Sequence, residues 1–286
     1  MNNTLGKIGY KLAGFIPYSF LYVFSNFLAF LLHRVFKYRF TVVRQNLKNS
    51  FPNSTASERE IIATKFYLKF SDILLENLKL YAISKTTLQK RMKLINPEIF
   101  HQLEEKNKGA LLIGAHYNNW EWMALALSTY LKQDLFSVYK PLSNARVDRL
   151  MLSIRSRFGA NIIPMKQFPK VVLKNKNRAT VNLILADQSP HKSTLDYFCT
   201  FLNQDTPVYL GAEKLMKAAN LELLFVEVTN VKRGFYEMKI VPLAQFDNGR
   251  KGDSTKLHLN QLEKMIINEP QNWLWTHKRW KHSRKK

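Results

Sequence analysis

The sequence predicts an α/β protein with a mixed central sheet flanked by helices, preceded by a helical N-terminal region that acts as a membrane anchor. From residue 109 onward, short apolar runs alternate with segments whose apolar residues have helical spacing, whereas residues 40–91 have a helical pattern throughout. Alternating strands and helices are typical of a sheet that helices cover on both faces. The 286 residues can bury a full core. We divide them into a hydrophobic anchor, residues 1–38, and an α/β domain, residues 39–286.

The elements of the predicted sheet follow one another in a regular order. Six apolar runs are predicted strands: 110–115, 135–139, 160–163, 180–186, 222–229 and 235–241. The segments between and after them are predicted helices: 119–132, 144–158, 166–176, 207–219 and 254–268. Only the sequence NVKRG separates the last two strands, so we expect them to form a hairpin, which would make the sheet mixed.

The helical stretch before the sheet contains a start signal. Ser57 and Glu60 form the Ser-x-x-Glu pattern of a capping box, directly before a long apolar run with helical spacing. We therefore expect a helix that is capped by this pair.

The charge balance is strongly basic. The chain has 44 Lys and Arg residues against 21 Asp and Glu residues, a net charge of +23. Such an excess favours a polyanionic partner, which is either nucleic acid or an anionic membrane surface. The single cysteine, Cys199, excludes an internal disulfide and fits a reducing compartment.

The N-terminal region combines basic residues with a long apolar stretch. Residues 1–57 hold seven Lys and Arg residues and no acidic residue, and residues 15–32 are mostly apolar. A stretch of this length is at the short end for a spanning helix, which needs about 20 residues. The flanking basic residues fit an anchor that lies in the interface, or barely inserts, over anionic lipid. The alternative is a buried core helix.

The C-terminal sequence NWLWTHKRWKHSRKK interleaves three tryptophans, Trp273, Trp275 and Trp280, with basic residues. Aromatic side chains among basic residues can bind single-stranded nucleic acid by stacking. They can equally lie at the headgroup layer of a membrane, where tryptophan is favoured. A third alternative is a solvated basic tail.

Polar groups follow three of the predicted strands at the point where each ends. They are His116, the sequence YKP at 139–141, and Asp187. In open α/β sheets, ligands bind outside the carboxyl ends of the strands. This edge of the sheet is therefore the candidate site.

His116 and Glu121 are the first candidates for chemistry at that edge. Within one helix their spacing would separate them by about 140°. If His116 instead lies in the loop and the helix begins near Asn118, Glu121 falls in the first turn and can reach back. The pair then forms a His–carboxylate dyad, in which Glu121 fixes the tautomer of the imidazole and stabilises the imidazolium. The alternative is a polar pair without a catalytic role.

Several other chemistries lack their sequence signatures. The chain contains no P-loop, G-x-G-x-x-G, G-x-S-x-G or C-x-x-C pattern. A catalytic zinc site needs three protein ligands, and beyond His116 and Asp187 only His191 is an obvious addition. We therefore expect neither a metal ion nor a cofactor.

The motif H-x-x-x-x-E, set here as GAHYNNWEW, resembles that of the late acyltransferases of lipid A synthesis. This lauroyl and myristoyl acyltransferase family lies within the lysophospholipid acyltransferase superfamily. The segments RFTVVRQNLKNSFP, YKP, RSRFGA, LADQSP and PQNWLWTHKRWK are similar to further segments of the family, so the resemblance extends over nearly the whole chain. Lys140 stands where the family has Arg, and Ser189 stands where an Asp is frequent. The glycerolipid branch of the superfamily prefers H-x-x-x-x-D and Glu-Gly-Thr-Arg, and this sequence has neither.

The resemblance implies a membrane-associated O-acyltransferase at the cytoplasmic face of the bacterial inner membrane. It would transfer a fatty acyl chain from an acyl-carrier-protein thioester to a hydroxyl of a lipid A precursor. His116 would be the general base and Glu121 the residue that orients it. The expected substrate-binding residues are Arg157, Asp187, Lys140 and Asn119, with Arg157 for phosphate or oxyanion charge and Asp187 for positioning. Two alternatives remain open: another lipid acceptor, such as a lysophospholipid or an aminolipid, and a basic nucleic-acid-binding protein.

Overall fold

A mixed sheet of seven strands forms the centre of the protein in a computed structural model that describes residues 14–195, 197–243, 250–282 and 284. The described α-helices are α1 Tyr18–Phe30, α2 Phe40–Ser50, α3 Ala56–Glu76, α4 Lys85–Arg91, α5 Glu98–Glu105, α6 Trp120–Tyr130, α7 Ala145–Arg155, α8 Phe168–Lys174, α9 Gly211–Ala219 and α10 Asp253–Asn268. The described strands are β1 Met92–Leu94, β2 Ala110–Gly114, β3 Leu135–Tyr139, β4 Asn161–Pro164, β5 Val181–Leu185, β6 Phe198–Phe201, β7 Gln204–Pro207, β8 Glu222–Lys232 and β9 Phe235–Pro242.

The strand order of the sheet is β1-β9-β8-β2-β5-β3-β4. Strands β8, β2, β5, β3 and β4 are parallel to one another, and β9 returns antiparallel to β8, with β1 parallel to β9. The predicted mixed sheet and its terminal hairpin are therefore confirmed. Since β2, β5 and β3 are parallel neighbours, their carboxyl ends meet at one edge, which brings together the loops that follow Gly114, Tyr139 and Leu185.

All six predicted strands are present, but three strands lie outside the prediction. Strand β1 is only three residues long, and β6 and β7 form a separate two-stranded antiparallel sheet. The sequence of β7, QDTP, is polar and ends in proline, so it has neither the apolar run nor the alternation that marks a strand.

Strand β2 separates two apolar cores, one on each face of the sheet. All five of its residues are buried. Leu111 and Ile113 point into one core, and Ala110 and Leu112 point into the other. Because successive side chains in a strand face opposite sides, a continuous apolar run is what a central strand with helices on both faces requires.

Helix α1 packs on the body with one face and exposes an apolar stripe on the other. Leu21, Ser25 and Ala29 are buried against the rest of the protein. The exposed stripe consists of Phe20, Val23, Phe24, Phe27 and Phe30, each more than half exposed. Of the predicted anchor, residues 1–13 lie outside the described part of the chain.

No single helix among the described residues is long and apolar enough to cross a membrane. Residues 18–35 and α2 together have the length and composition of a membrane-crossing segment, but the chain bends by 85° between these two halves.

The predicted capping box is displaced by two residues. Helix α3 begins at Ala56, and its cap is Thr55, whose hydroxyl accepts from the Glu58 N–H at 3.2 Å while Glu58 accepts from the Thr55 N–H at 2.6 Å. The box expected at Ser57 and Glu60 is therefore wrong. Both pairs fit the pattern, but Glu60 is engaged elsewhere, because it accepts a hydrogen bond from Arg34 at 3.1 Å.

Candidate active site

The loop between β2 and α6 presents the site histidine at the carboxyl edge of the sheet. Strand β2 ends at Gly114, and His116 follows in the loop. Asn118 has a φ of 51°, a left-handed conformation that turns the chain sharply. Asn119 then caps α6, its Oδ1 accepting from the Trp122 N–H at 3.0 Å. As predicted, His116 lies before the helix and Glu121 lies in its first turn.

The carboxylate that holds His116 is Asp187 and not Glu121. Asp187 Oδ1 lies 2.7 Å from His116 Nδ1, and Asp187 Oδ2 accepts from the His116 backbone N–H at 3.0 Å. The indole Nε1 of Trp273 donates to the same Oδ2 at 2.9 Å. Since Asp187 lies two residues after the end of β5 and β5 pairs with β2, neighbouring strand ends bring the two residues together.

The hydrogen bonds of the imidazole define which nitrogen is available for chemistry. Because the carboxylate of Asp187 accepts from Nδ1, that nitrogen carries the proton, and the lone pair lies on Nε2. The side-chain amide nitrogen of Gln188 lies 3.2 Å from Nε2, which fits an amide N–H that donates to this lone pair. The ring of Trp120 packs edge-on against the imidazole, with 5.2 Å between centroids. Nε2 is therefore the basic atom, and the contacts with Asp187, Gln188 and Trp120 hold the imidazole ring in one orientation.

The pKa shifts of this pair follow from burial and charge. Burial lowers the pKa of His116, but the charge and hydrogen bond of Asp187, with a smaller contribution from Glu121, raise it overall above its ordinary value. Burial raises the pKa of Asp187, but the charge of His116 and the hydrogen bonds from His116 and Trp273 outweigh it and lower this pKa to about 2. Asp187 is thus a carboxylate at all ordinary pH values, and His116 is a stronger base than a free histidine.

Glu121 pairs with an arginine. Its carboxylate accepts from Arg155 in a two-pronged ion pair, with Nε–Oε2 at 3.0 Å and Nη2–Oε1 at 2.5 Å. Within the described chain Glu121 has no hydrogen bond to His116, so the prediction that Glu121 fixes the imidazole tautomer is wrong. The reason is geometric, since the first turn of α6 directs Glu121 toward the last residue of α7, while Asp187 occupies the position at Nδ1.

His116, Glu121 and Arg155 line a groove at the carboxyl edge of the sheet. The groove encloses about 1050 Å³ including its open mouth. Its lining is mainly apolar and includes Ala124, Leu125, Leu142, Ala160, Ile162, Met165, Leu183 and Leu185. A groove with this mainly apolar lining can hold an alkyl chain. Among the described residues, no three His, Cys, Asp or Glu side chains are grouped closely enough to hold a metal ion.

The remaining predicted substrate-binding residues divide into one that lines the groove and two that do not. Lys140 lines it. Asn119 is fully buried, and its amide nitrogen donates to Glu76 at 2.7 Å, so its predicted contact with substrate is wrong. Arg157 donates to the backbone carbonyls of Leu80 and Ile83 and does not line the groove, so its role toward substrate stays a prediction. Arg155, two residues earlier, is the arginine at the groove, because α7 presents only one of the two on that face.

The C-terminal segment folds against the back of the site. Trp273 and Trp275 are buried, and the Leu274 N–H donates to the His116 carbonyl at 3.1 Å. The interpretation of these tryptophans as a stacking or headgroup surface is therefore wrong. Sequence reasoning also missed Gln188 and the contact between Trp273 and Asp187. These residues lie in LADQSP and PQNWLWTHKRWK, two segments that resemble the family, and this resemblance is the signal that could have indicated them.

This arrangement is a His–carboxylate site beside a mainly apolar groove. The family described as bacterial lipid A biosynthesis acyltransferase matches residues 2–282, and the chain belongs to this family. The predicted family is therefore confirmed.

Curated relatives agree with this assignment at low identity. The chain is 23% identical over 275 residues to a lipid A biosynthesis acyltransferase of Haemophilus influenzae, covering 95% of this chain and 85% of the relative. It is 22% identical over 268 residues to the lipid A biosynthesis lauroyltransferase of Escherichia coli, covering 93% and 87%. It is 20% identical over 269 residues to the lipid A biosynthesis palmitoleoyltransferase of the same species, covering 93% and 86%.

Proposed function

We propose that the protein transfers a fatty acyl chain from an acyl-carrier-protein thioester to a hydroxyl group of a lipid A precursor. One observation carries the proposal: a histidine whose Nδ1 is held by a buried carboxylate lies on an apolar groove beside two cationic side chains, Arg155 and Lys140. Family membership supports acyl transfer in lipid A synthesis. The groove supports a long acyl chain as the group transferred.

The proposed step needs no covalent enzyme intermediate. Nε2 of His116 takes the proton of the acceptor hydroxyl, which would replace the Gln188 amide as the hydrogen-bond partner of Nε2. The hydroxyl oxygen attacks the thioester carbon at the same time. A new C–O ester bond forms and the C–S bond breaks, and the proton passes from His116 to the leaving thiolate. Asp187 keeps the imidazole in the reactive tautomer and stabilises the imidazolium that forms transiently.

The charged groups at the groove fit two anionic substrates. A carrier protein that presents its acyl chain on a phosphate-bearing arm and a phosphorylated lipid acceptor both carry negative charge. In our proposal Arg155, whose orientation Glu121 fixes, stabilises the negative charge that develops on the thioester oxygen. Lys140 lies at the groove and attracts the anionic substrates.

We further propose that residues 1–38 attach the enzyme to the cytoplasmic face of the bacterial inner membrane. The exposed apolar stripe of α1 supports this attachment, because five large apolar side chains on one helix face are costly in water. Lys37 follows the stripe and would contact anionic headgroups with about 1 kcal/mol of attraction, whereas Arg34 and Arg39 also bind Glu60 and the Thr276 carbonyl. Trp273 and Trp275 are buried and cannot stack on bases, which favours the membrane over nucleic acid as the anionic partner.

The test is transfer by the purified full-length protein in mixed micelles. With a synthetic acyl-carrier-protein thioester and a phosphorylated lipid A precursor, mass spectrometry should detect the acceptor with one added acyl chain. His116→Ala should lower the rate by about 10³-fold, because the base is lost while the fold is kept. His101→Ala, an exposed histidine of α5, serves as the matched control. Absence of any acylated product with the wild type would overturn the function, and near wild-type turnover of His116→Ala would overturn the mechanism.

A further inference from the structure

Behind the active-site loop, Glu76 is the centre of a buried hydrogen-bond cluster that joins four elements. It is the last residue of α3 and is fully buried. Its carboxylate accepts from Tyr22 of α1 at 2.8 Å, from Tyr236 of β9 at 2.9 Å and from the Asn119 amide at 2.7 Å. Its backbone carbonyl accepts from the Trp122 indole at 3.2 Å.

The contact with Asn119 connects this cluster to the active site. Asn119 uses its amide oxygen to cap α6 and its amide nitrogen to bind Glu76, so both polar atoms of this buried side chain are engaged. The next two residues are Trp120, which packs on the His116 ring, and Glu121, which holds Arg155. A shift of the cap therefore moves both groups, because they lie in the same first turn of the helix.

The contact with Tyr22 connects the same cluster to α1. Tyr22 lies on the helix whose opposite face carries the exposed apolar stripe. A second buried carboxylate one turn earlier in α3, Asp72, accepts from Ser25 of α1 at 2.6 Å and pairs with Arg233 of the β8–β9 hairpin. The packing of α1 on the body thus depends on polar contacts of defined geometry as well as on apolar burial.

We propose that Glu76 is a positioning residue for acyl transfer: it fixes Asn119 and the first turn of α6, and it links that turn to α1 through Tyr22. The inference rests on the proposed function, since it assigns Glu76 an effect on the transfer rate. Glu76 does not line the groove, so it acts through Asn119 and not on the substrate.

The geometry allows a test that exchanges donor and acceptor. Asn119→Asp keeps a good helix cap but replaces the amide donor by an oxygen that faces the Glu76 carboxylate. Glu76→Gln introduces an amide donor at the other side. The two substitutions together restore a hydrogen bond of reversed direction and leave the total charge of the pair unchanged. Tyr236 can then accept a hydrogen bond instead of donating one.

We expect Asn119→Asp to lower kcat per folded molecule by about 10-fold to 100-fold, with the KM for the acyl donor changed less than about 3-fold. The double variant should recover kcat to within about 5-fold of the wild type. A merely structural role would lower the folded fraction and leave kcat per folded molecule unchanged. Glu213→Gln is the matched control, because Glu213 is also a buried carboxylate that accepts helix N–H groups, those of Gly252 and Thr255.

A second measurement needs no substrate and separates this inference from the proposed function. The pH titration of the His116 imidazole, followed by NMR, should move in Asn119→Asp and return toward the wild-type value in the double variant. An unchanged titration and kcat in Asn119→Asp, or a double variant no better than the single one, would overturn the positioning role. If the wild type transfers no acyl group but the titration behaves as expected, the proposed function fails and the positioning of the loop by Glu76 stands.

Discussion

Asp187 and Glu76 are both fully buried carboxylates that accept three hydrogen bonds, yet their pKa values move in opposite directions. Burial raises both pKa values, but that of Asp187 falls to about 2, while that of Glu76 rises to about 7. The difference lies in the partners. Asp187 faces His116, which can carry a positive charge, whereas Glu76 faces only neutral donors and has the charge of Asp72 nearby. Hydrogen bonds without a cation do not offset the loss of hydration here.

The comparison also separates two uses of a buried acid. Asp187 is permanently charged and can stabilise an imidazolium at the site. Glu76 is close to half protonated near neutral pH and holds elements together without contacting the groove.

Asp187→Asn should lower kcat by about 10³-fold, because the imidazole loses the carboxylate that fixes its tautomer. The acid limb of the pH–rate profile should also move to lower pH, since the charge of Asp187 raises the pKa of His116. Steady-state kinetics over a range of pH would measure both effects. Asp205→Asn is the control, because Asp205 is an exposed carboxylate paired with Arg284. An unchanged acid limb would mean that Asp187 does not set the basicity of His116.

The two acids should give opposite pH dependences of stability. The folded-state pKa of Asp187 lies below its ordinary value, so its contribution is present at neutral pH and is lost as pH falls toward about 2. The folded-state pKa of Glu76 lies above its ordinary value, so its contribution is present at low pH and is lost as pH rises toward about 7.

The free energy of unfolding of the wild type should therefore decrease by about 2 kcal/mol between about pH 5 and about pH 8. In Glu76→Gln this decrease should be absent. Urea titrations of both proteins in the same detergent would measure it. Parallel pH dependences in the wild type and Glu76→Gln would show that Glu76 does not titrate in this range.

Glu121 provides a third case, because its partner is the permanent cation Arg155. Glu121→Gln and Arg155→Ala should each lower kcat by about 10-fold to 100-fold, the range for a hydrogen bond to a charged group. The double variant should be little worse than Arg155→Ala alone, because both substitutions remove the same ion pair. Strictly additive losses would assign independent roles to the two residues, with Glu121 acting on His116 as the sequence suggested.

Lys140 and Arg157 should have the smallest effects. Lys140→Glu should raise the apparent KM for the acyl carrier by about threefold to fivefold, and added salt should remove most of this difference, because exposed charges are screened. Arg157→Ala should leave kcat within about twofold and lower stability instead, since Arg157 binds backbone carbonyls. A large loss of kcat in Arg157→Ala at unchanged stability would return Arg157 to the site.

Six of the nine described strands and the edge of the sheet that carries the site could be predicted from the sequence alone. Six strands followed from apolar runs, and the position of His116 before a helix followed from its place after the run 110–115. These features depend on local periodicity, which a single sequence contains. The convergence of His116, residues 139–141 and Asp187 followed from the general rule for strand ends.

Which of the converging groups make contact depends on the tertiary fold. His116 and Asp187 are 71 residues apart, Glu121 and Arg155 are 34 apart, and Glu76 and Asn119 are 43 apart. Each contact depends on strand order and on the rotation of a helix about its axis, and a side chain reaches its partner only when both are correct. The burial of Trp273 beneath Asp187 has the same origin, because local composition cannot distinguish an exposed aromatic residue from one that a distant segment covers.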